Sequence, residues 1–331
     1  MKPRFLSLLL GASLLFTGAL VASETAASPA PAFAPHAIPG SQLRTLPRNA
    51  AGRQYQLHIA LPDSYATHPE RKYPVVFVTD GYWDFTKISA MEGSLVYDRV
   101  VPEFITVAIG YAGENLDYGS LRLWELSPVV LTEFGSDAEK SGHAAEFLKT
   151  IETEIIPLVE REYRADPSFR VLSGASLGGL FTLYAMYTKP ALFNGYIAAT
   201  PAVGAGNDWL FGYEEQFAKS GQALPVRLYA TAGGNEEPRF LGNILRFNAQ
   251  LQSRRYPGLA YEFRLIDGER HAGMQFESYV RGLRFVFAPP PLFCGGLTRL
   301  GRVGGSVPCV CKGRARKCRP RLVTSPRRRS R

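Results

Sequence analysis

The sequence predicts an α/β protein built on a mostly parallel sheet with helices on both faces. Two observations carry that prediction. Short, nearly all-apolar runs rich in β-branched residues recur between residues 74 and 266, bounded by glycine, proline or aspartate. Between several of them lie longer stretches with apolar residues at helical spacing. Strands buried on both faces read as continuous apolar runs, and alternation with helices is how parallel strands are connected.

The elements follow in order. Residues 55–61 alternate enough for a strand. Residues 74–79 (Pro-Val-Val-Phe-Val-Thr) form a second strand that runs straight into an Asp80-Gly81 turn. Residues 104–109 are a third, ending at Gly110. Residues 144–163 place Phe147, Ile151, Ile155, Ile156 and Val159 on one helical face. Residues 170–173 are a short strand, and 177–187 a helix stopped before Pro190. Residues 195–200 and 226–231 are buried strands, 243–255 a helix stopped by Pro257-Gly258, 261–266 the last strand, and 274–287 a closing helix. No internal repeat is visible.

The flanks differ in composition. Lys2 and Arg4, an apolar run to Val21 and the small residues around Val21-Ala22-Ser23 read as a signal peptide over residues 1–23. Residues 24–41 are rich in Ala and Pro and read as a linker, with order starting near Gln42. The folded domain is expected over 42–288. Residues 289–331 hold 12 Lys and Arg, no Asp or Glu, and all four cysteines (Cys294, Cys309, Cys311, Cys318). They lack the apolar periodicity to order themselves, so a disordered basic tail is expected, read as an out-of-frame or recently added extension. The net charge of +9 therefore belongs to the tail: the remainder carries 26 basic and 29 acidic residues. A mildly acidic body argues against a nucleic-acid partner. With no cysteine in the body, its fold depends on no disulfide or cysteine metal site. No later run is long enough to cross a bilayer, so no integral membrane association is expected.

Ser173-Gly174-Ala175-Ser176-Leu177-Gly178-Gly179 contains G-x-S-x-G between a strand and a helix. A serine hydroxyl is a poor nucleophile unless it is exposed, flanked by a base and faced by donors for the developing oxyanion. A strand–turn–helix elbow provides the exposure, and the two glycines leave room for the turn. Ser176 is thus the candidate nucleophile. The Leu177 amide, at a helix N-terminus, is a candidate oxyanion donor. This is the elbow of the α/β-hydrolase fold, where the triad runs Ser, acid, His along the chain. Of His36, His58, His68, His143 and His271, only His271 follows Ser176, and it lies in a loop after the last strand. The acid should follow the strand at 226–231, where Gly233-Gly234 precede Glu236 and Glu237. Glu236 is favoured, with Glu237 and Asp267 as alternatives and an acid-free Ser–His pair left open. The second oxyanion donor is the Tyr82 amide after Asp80-Gly81. Tyr82 and Trp83 are candidate pocket walls, with a core role as the alternative for Trp83.

Residues 56–65 (Gln-Leu-His-Ile-Ala-Leu-Pro-Asp-Ser-Tyr), residues 73–84 (Tyr-Pro-Val-Val-Phe-Val-Thr-Asp-Gly-Tyr-Trp-Asp), the Ser176 elbow and the His271 loop resemble the esterase D-like family of α/β-hydrolases. That family includes enterochelin and other siderophore esterases, and this chain is most similar to its periplasmic siderophore-esterase-like members. The resemblance runs from about residue 42 to 287. It implies a serine esterase with Ser176 as nucleophile, His271 as base, Glu236 as acid, Tyr82 and Leu177 as oxyanion donors, and no metal or cofactor. Arg122 stands where the family has an Arg-x-x-Asp-x-x-Pro segment, here Arg122-Leu-Trp-Glu125-Leu-Ser-Pro128, which makes Arg122 a candidate substrate-binding residue. Other departures are Ala175 before the nucleophile, often His or Tyr in the family, and Thr200-Pro201-Ala202 where Ser-Pro-Ser is common.

The expected activity is hydrolysis of a small-molecule carboxylic ester through an acyl-enzyme, in the periplasm or outside the cell. The alternative from another class is a catalytically silent periplasmic binding protein that keeps the fold. The natural ester and the oligomeric state have no signature in the sequence.

Overall fold

A computed structural model describes residues 37–289. The expected signal peptide, all but the last residues of the linker, and the tail with its cysteines lie outside the described residues. Eight strands form one sheet: β1 (Ser41–Thr45), β2 (Tyr55–Ala60), β3 (Tyr73–Val78), β4 (Ile105–Tyr111), β5 (Ala165–Ala175), β6 (Gly195–Ala199), β7 (Arg227–Gly233) and β8 (Ala260–Ile266). Their order is β1-β2-β4-β3-β5-β6-β7-β8. β2 pairs antiparallel with β1 and with β4, and every pairing from β4 through β8 is parallel. This is the predicted α/β class.

The alternation of side chains along each strand divides the core in two. Val75 and Phe77 of β3, Leu172 of β5, and Tyr196 and Ala198 of β6 face one layer. That layer is closed by α2 (Tyr118–Leu126), α3 (Ala144–Thr150), α5 (Leu177–Thr188), α6 (Ala205–Lys219) and α7 (Pro238–Arg254). Val76 and Val78, Val171, and Ile197 and Ala199 face the other, closed by α1 (Gly81–Tyr97) and α8 (Gln275–Phe287). Burying one such side chain contributes roughly 1.5–3 kcal/mol, so strands apolar on both faces hold helices on both. No helix of the described residues is long and apolar enough to cross a membrane.

Several elements depart from expectation for local reasons. The chain is ordered slightly before Gln42: Gly40 turns at φ 70°, its carbonyl accepts from the Leu61 amide, and β1 adds an edge strand. The helix expected over 144–163 is continuous but contains a π-helical turn at Ile151–Ile155 before α4 (Ile156–Glu162). Pro157 at the start of α4 has no N–H to give, and a wider turn absorbs the missing bond. β5 starts earlier than expected, at Ala165. α7 begins at Pro238 because Glu237 caps it, accepting from the Arg239 and Phe240 amides at 3.0 and 2.8 Å. It ends at Arg254, and the next residue, Arg255, is held left-handed at φ 49°.

Candidate active site

Between the last residue of β5, Ala175, and the first of α5, Leu177, Ser176 alone makes the turn, at φ 57° and ψ −117°. A non-glycine residue rarely adopts this conformation, and it persists only where surroundings hold it. Here the Ser176 amide donates to the Ala199 carbonyl at 3.0 Å, and the Ala202 amide donates back to the Ser176 carbonyl at 2.9 Å. A Cβ at Gly174 would strike the Gly178 backbone and Thr79, and one at Gly178 would strike Thr79. Both glycines of the motif are therefore sterically required.

The Thr79-Asp80 turn packs directly on this elbow. Asp80 adopts φ 53° and α1 starts at the next residue. Gly81 lies so close to β4 that a Cβ would come within 2.8 Å of the Ala108 backbone. Tyr82 and Leu177 are both first-turn residues of their helices, so neither amide has an intrahelical acceptor. Arg122 holds the turn: its Nε and a terminal nitrogen grip the two Asp80 carboxylate oxygens at 2.8 and 2.9 Å. Burial alone would lower the Arg122 pKa, but the hydrogen bonds and charge of Asp80 outweigh it and push it up.

The acid and histidine loops are laced together at the ends of β7 and β8. The Gly234 amide donates to Ile266, the Asn235 amide to Glu269 and the Asn235 side chain to Gly268. Gly233 fits against the Glu269 carbonyl where a Cβ would not. This places His271 Nδ1 3.0 Å from Glu236 Oε2. The Glu236 side chain is 2% exposed and that of His271 43%. The other Glu236 oxygen accepts from the Thr200 hydroxyl. Of the alternatives, Glu237 spends both oxygens capping α7, and Asp267 makes no hydrogen bond with His271. Phe240 stands edge-on to the His271 ring at 5.1 Å.

Ser176 opens on two cavities. One, of about 1010 Å³, is lined by Leu177, Arg122, Phe134, Ala202 and Asn243 among others. The second, of about 740 Å³, is lined by Asn235, Glu236, Arg270, His271 and Ala272. Ser176, Glu237 and Phe240 border both. Ser176 and His271 share the second cavity without a hydrogen bond between them, as is common before substrate tightens such contacts.

The structure thus brings Ser176, His271, Glu236, Leu177 and the Asp80–Tyr82 turn to one end of the sheet. Neither Tyr82 nor Trp83 is a wall of either cavity, and Trp83 is not core. It is 44% exposed and packs edge-on to Tyr82, whose ring stacks on Tyr118 at 4.4 Å. Arg122 does line the larger cavity, but its fork is occupied by Asp80. Several residues at the site were not assigned a role from the sequence, Thr200 and Phe134 among them. Thr200 follows β6 at φ 42°, and its hydroxyl signalled nothing at a distance of 36 residues from Glu236. Phe134 belongs to a 3-10 segment, Thr132–Lys140, without readable periodicity. Among the described residues, no three His, Cys, Asp or Glu side chains gather to hold a metal ion.

A family model described as "Putative esterase" matches residues 48–249. The chain belongs to this esterase family. Ferri-bacillibactin esterase BesA of Bacillus subtilis (strain 168) is 26% identical to this esterase over 268 residues, spanning 76% of the present chain and 91% of BesA. Apo-salmochelin esterase of Escherichia coli O6:H1 is 28% identical over 210 residues, 60% and 64% of the two chains. Among solved structures, BES protein from Bacillus cereus superposes with a TM-score of 0.70 at 25% identity, covering 77% of this chain and 98% of that one. An IroE-like serine hydrolase from Shewanella oneidensis gives 0.67 at 23% identity, covering 75% and 80%. The fold is that of the α/β-hydrolases, and the esterase's reaction class is carboxylic ester hydrolysis.

Proposed function

We propose that this esterase cleaves a siderophore-type ester through an acyl-enzyme, with Ser176 as nucleophile, His271 as base and Glu236 as acid. The observation that carries the reading is the Glu236–His271 pair at 3.0 Å, opening on the same cavity as a serine turned outward at φ 57°. With Nδ1–H donating to Glu236, Nε2 is the free base. It takes the Ser176 proton as Oγ attacks the ester carbonyl. The oxyanion is met by the Leu177 and Tyr82 amides at two helix N-termini. Collapse breaks the C–O bond, and the imidazolium gives its proton to the leaving alcohol. Water then attacks the acyl-serine, losing a proton to His271; the C–Oγ bond breaks, His271 returns that proton to Ser176, and the acid leaves. Neither a metal nor a cofactor has a step in this sequence.

Siderophore esters are proposed because the relatives above are named for them. Periplasmic or secreted location is proposed from residues 1–23, and sequencing the mature N-terminus would test it. The substrate is tested by a panel of a ferric and an apo catecholate trilactone, acetylated xylose, methyl ferulate and short p-nitrophenyl esters, run on wild type and Ser176→Ala. Turnover of a trilactone at a higher kcat/KM than the other esters, lost in the variant, is expected. Preference for acetylated xylose or ferulate would replace the siderophore assignment. Equal inertness of both proteins would favour the silent binding protein.

A further inference from the structure

We infer that the two cavities meeting at Ser176 divide the ester: the acyl arm enters the cavity of about 1010 Å³, and the alcohol arm the one of about 740 Å³. The inference rests on the proposed roles of Ser176 and His271. His271 must reach the leaving oxygen to protonate it, and later hold the attacking water in the same place. The alcohol therefore leaves on the side that His271 lines, beside Arg270 and Ala272. The acyl chain diverges from both the carbonyl oxygen, which meets the Leu177 amide, and the leaving oxygen beside His271, so it takes the other cavity that Ser176 borders, lined by Phe134, Asn207 and Asn243. Phe240 and Glu237 form the partition, being common to both. Phe240 is fixed by its edge contact with His271 and Glu237 by its hydrogen bonds to α7, so the divide is built into the fold.

The chemistry of the walls defines the acyl group. The larger cavity is of the size that holds a drug-sized ligand. Phe134, itself 47% exposed at the rim, offers a ring face. Asn207 and Asn243 offer hydrogen-bonding groups, while the lining carboxylates of Asp117, Glu133 and Asp137 are engaged by Ser120, the Gly206 amide and Lys140. The fitting acyl arm is bulky and combines a ring with amide or hydroxyl groups. Phe134 and Ala272 are then specificity-determining positions for opposite ends of the substrate.

A matched pair of esters tests this. N-benzoylserine methyl ester carries its bulk on the acyl side, and O-acetyl-N-benzoylserinamide carries it on the alcohol side. The readout is the ratio of kcat/KM for the first to that for the second, with methyl acetate as a reference small on both sides. Phe134→Ala should lower the ratio about five- to tenfold by removing the ring contact. Ala272→Trp, at an exposed position, should raise it about tenfold or more by blocking the alcohol side. Ratios that stay unchanged, move together or move in the reverse sense overturn the inference while methyl acetate is still hydrolysed. Failure of wild type on all three esters, the reference included, removes the ester-hydrolysis roles themselves and the inference with them.

Discussion

Glu236 and Glu237 are adjacent and chemically identical, yet the fold sets them to different tasks. Glu236 is buried against Thr200 and His271, while Glu237 caps α7. Glu236→Gln keeps the shape but presents the imidazole with an amide and the wrong tautomer, so kcat should fall on the order of 10³–10⁴-fold. Glu237→Ala should instead cost about 1 kcal/mol of stability through the lost cap, read as a lower denaturation midpoint, with kcat falling far less than in Glu236→Gln. A similar kcat loss in both variants would contradict this division of labour. Thr200→Val removes one hydrogen bond to a charged group, worth about 1.5–3 kcal/mol. If Glu236 is thereby freed to turn from His271, kcat should drop roughly 10- to 100-fold with little change in KM. The sequence favoured Glu236 but left Glu237, Asp267 and an acid-free Ser–His pair open, because which carboxylate meets His271 depends on where α7 starts and how the loops after β7 and β8 meet. His271 was legible for a simpler reason: it is the one histidine after Ser176.

At the scale of elements, the elbow and the turn facing it form one packed unit. Gly174→Ala places a methyl against the Gly178 backbone, which cannot yield without moving α5. A loss of about 2–3 kcal/mol is expected, accompanied by loss of hydrolysis. A second unit ties α2 to the sheet. Glu125 of α2 accepts from Tyr55 of β2 at 3.0 Å and is fully buried. Burial, partly offset by hydrogen bonds from Tyr111 and Tyr55, pushes its pKa up to about 8. Its folded pKa is above the unfolded value, so its stabilising contribution is complete below about 4.5 and is lost as pH rises toward 8. Glu125→Gln should therefore flatten the wild-type fall in Tm between pH 5 and 8, and parallel Tm–pH curves would contradict this. The inner strands β3, β4, β6 and β7 were legible because they are buried on both faces and mostly apolar, and the exposed edge strand β1 was not. α1 was not, because Gly93, Ser89 and Ser94 interrupt its apolar stripe and Asp84 and Glu92 are buried within it. α6 was obscured by the left-handed run Gly206-Asn207-Asp208 at its start.

For the whole molecule, the mostly parallel sheet and its two-sided helix cover follow from patterns that the sequence states openly, and the strand order does not. The cavities do not, since their walls come from loops and helix starts between residues 117 and 272 whose meeting is set only by the finished fold. The charge distribution makes a further global prediction. The body carries 26 basic and 29 acidic residues, so a chain ending at Ala288 should hydrolyse esters with the kcat/KM of the full chain and should not retain DNA in a filter assay. DNA binding by the truncated chain would contradict the charge argument. The central claim, that Ser176 is the nucleophile, is tested most directly by fluorophosphonate labelling followed by peptide mass spectrometry. One adduct per chain, on the peptide containing Ser176, is expected, together with complete loss of hydrolysis. Ser176→Ala should take no label and lose kcat by on the order of 10⁴–10⁶-fold. An adduct on another residue, or hydrolysis by Ser176→Ala at the wild-type rate, would contradict the account.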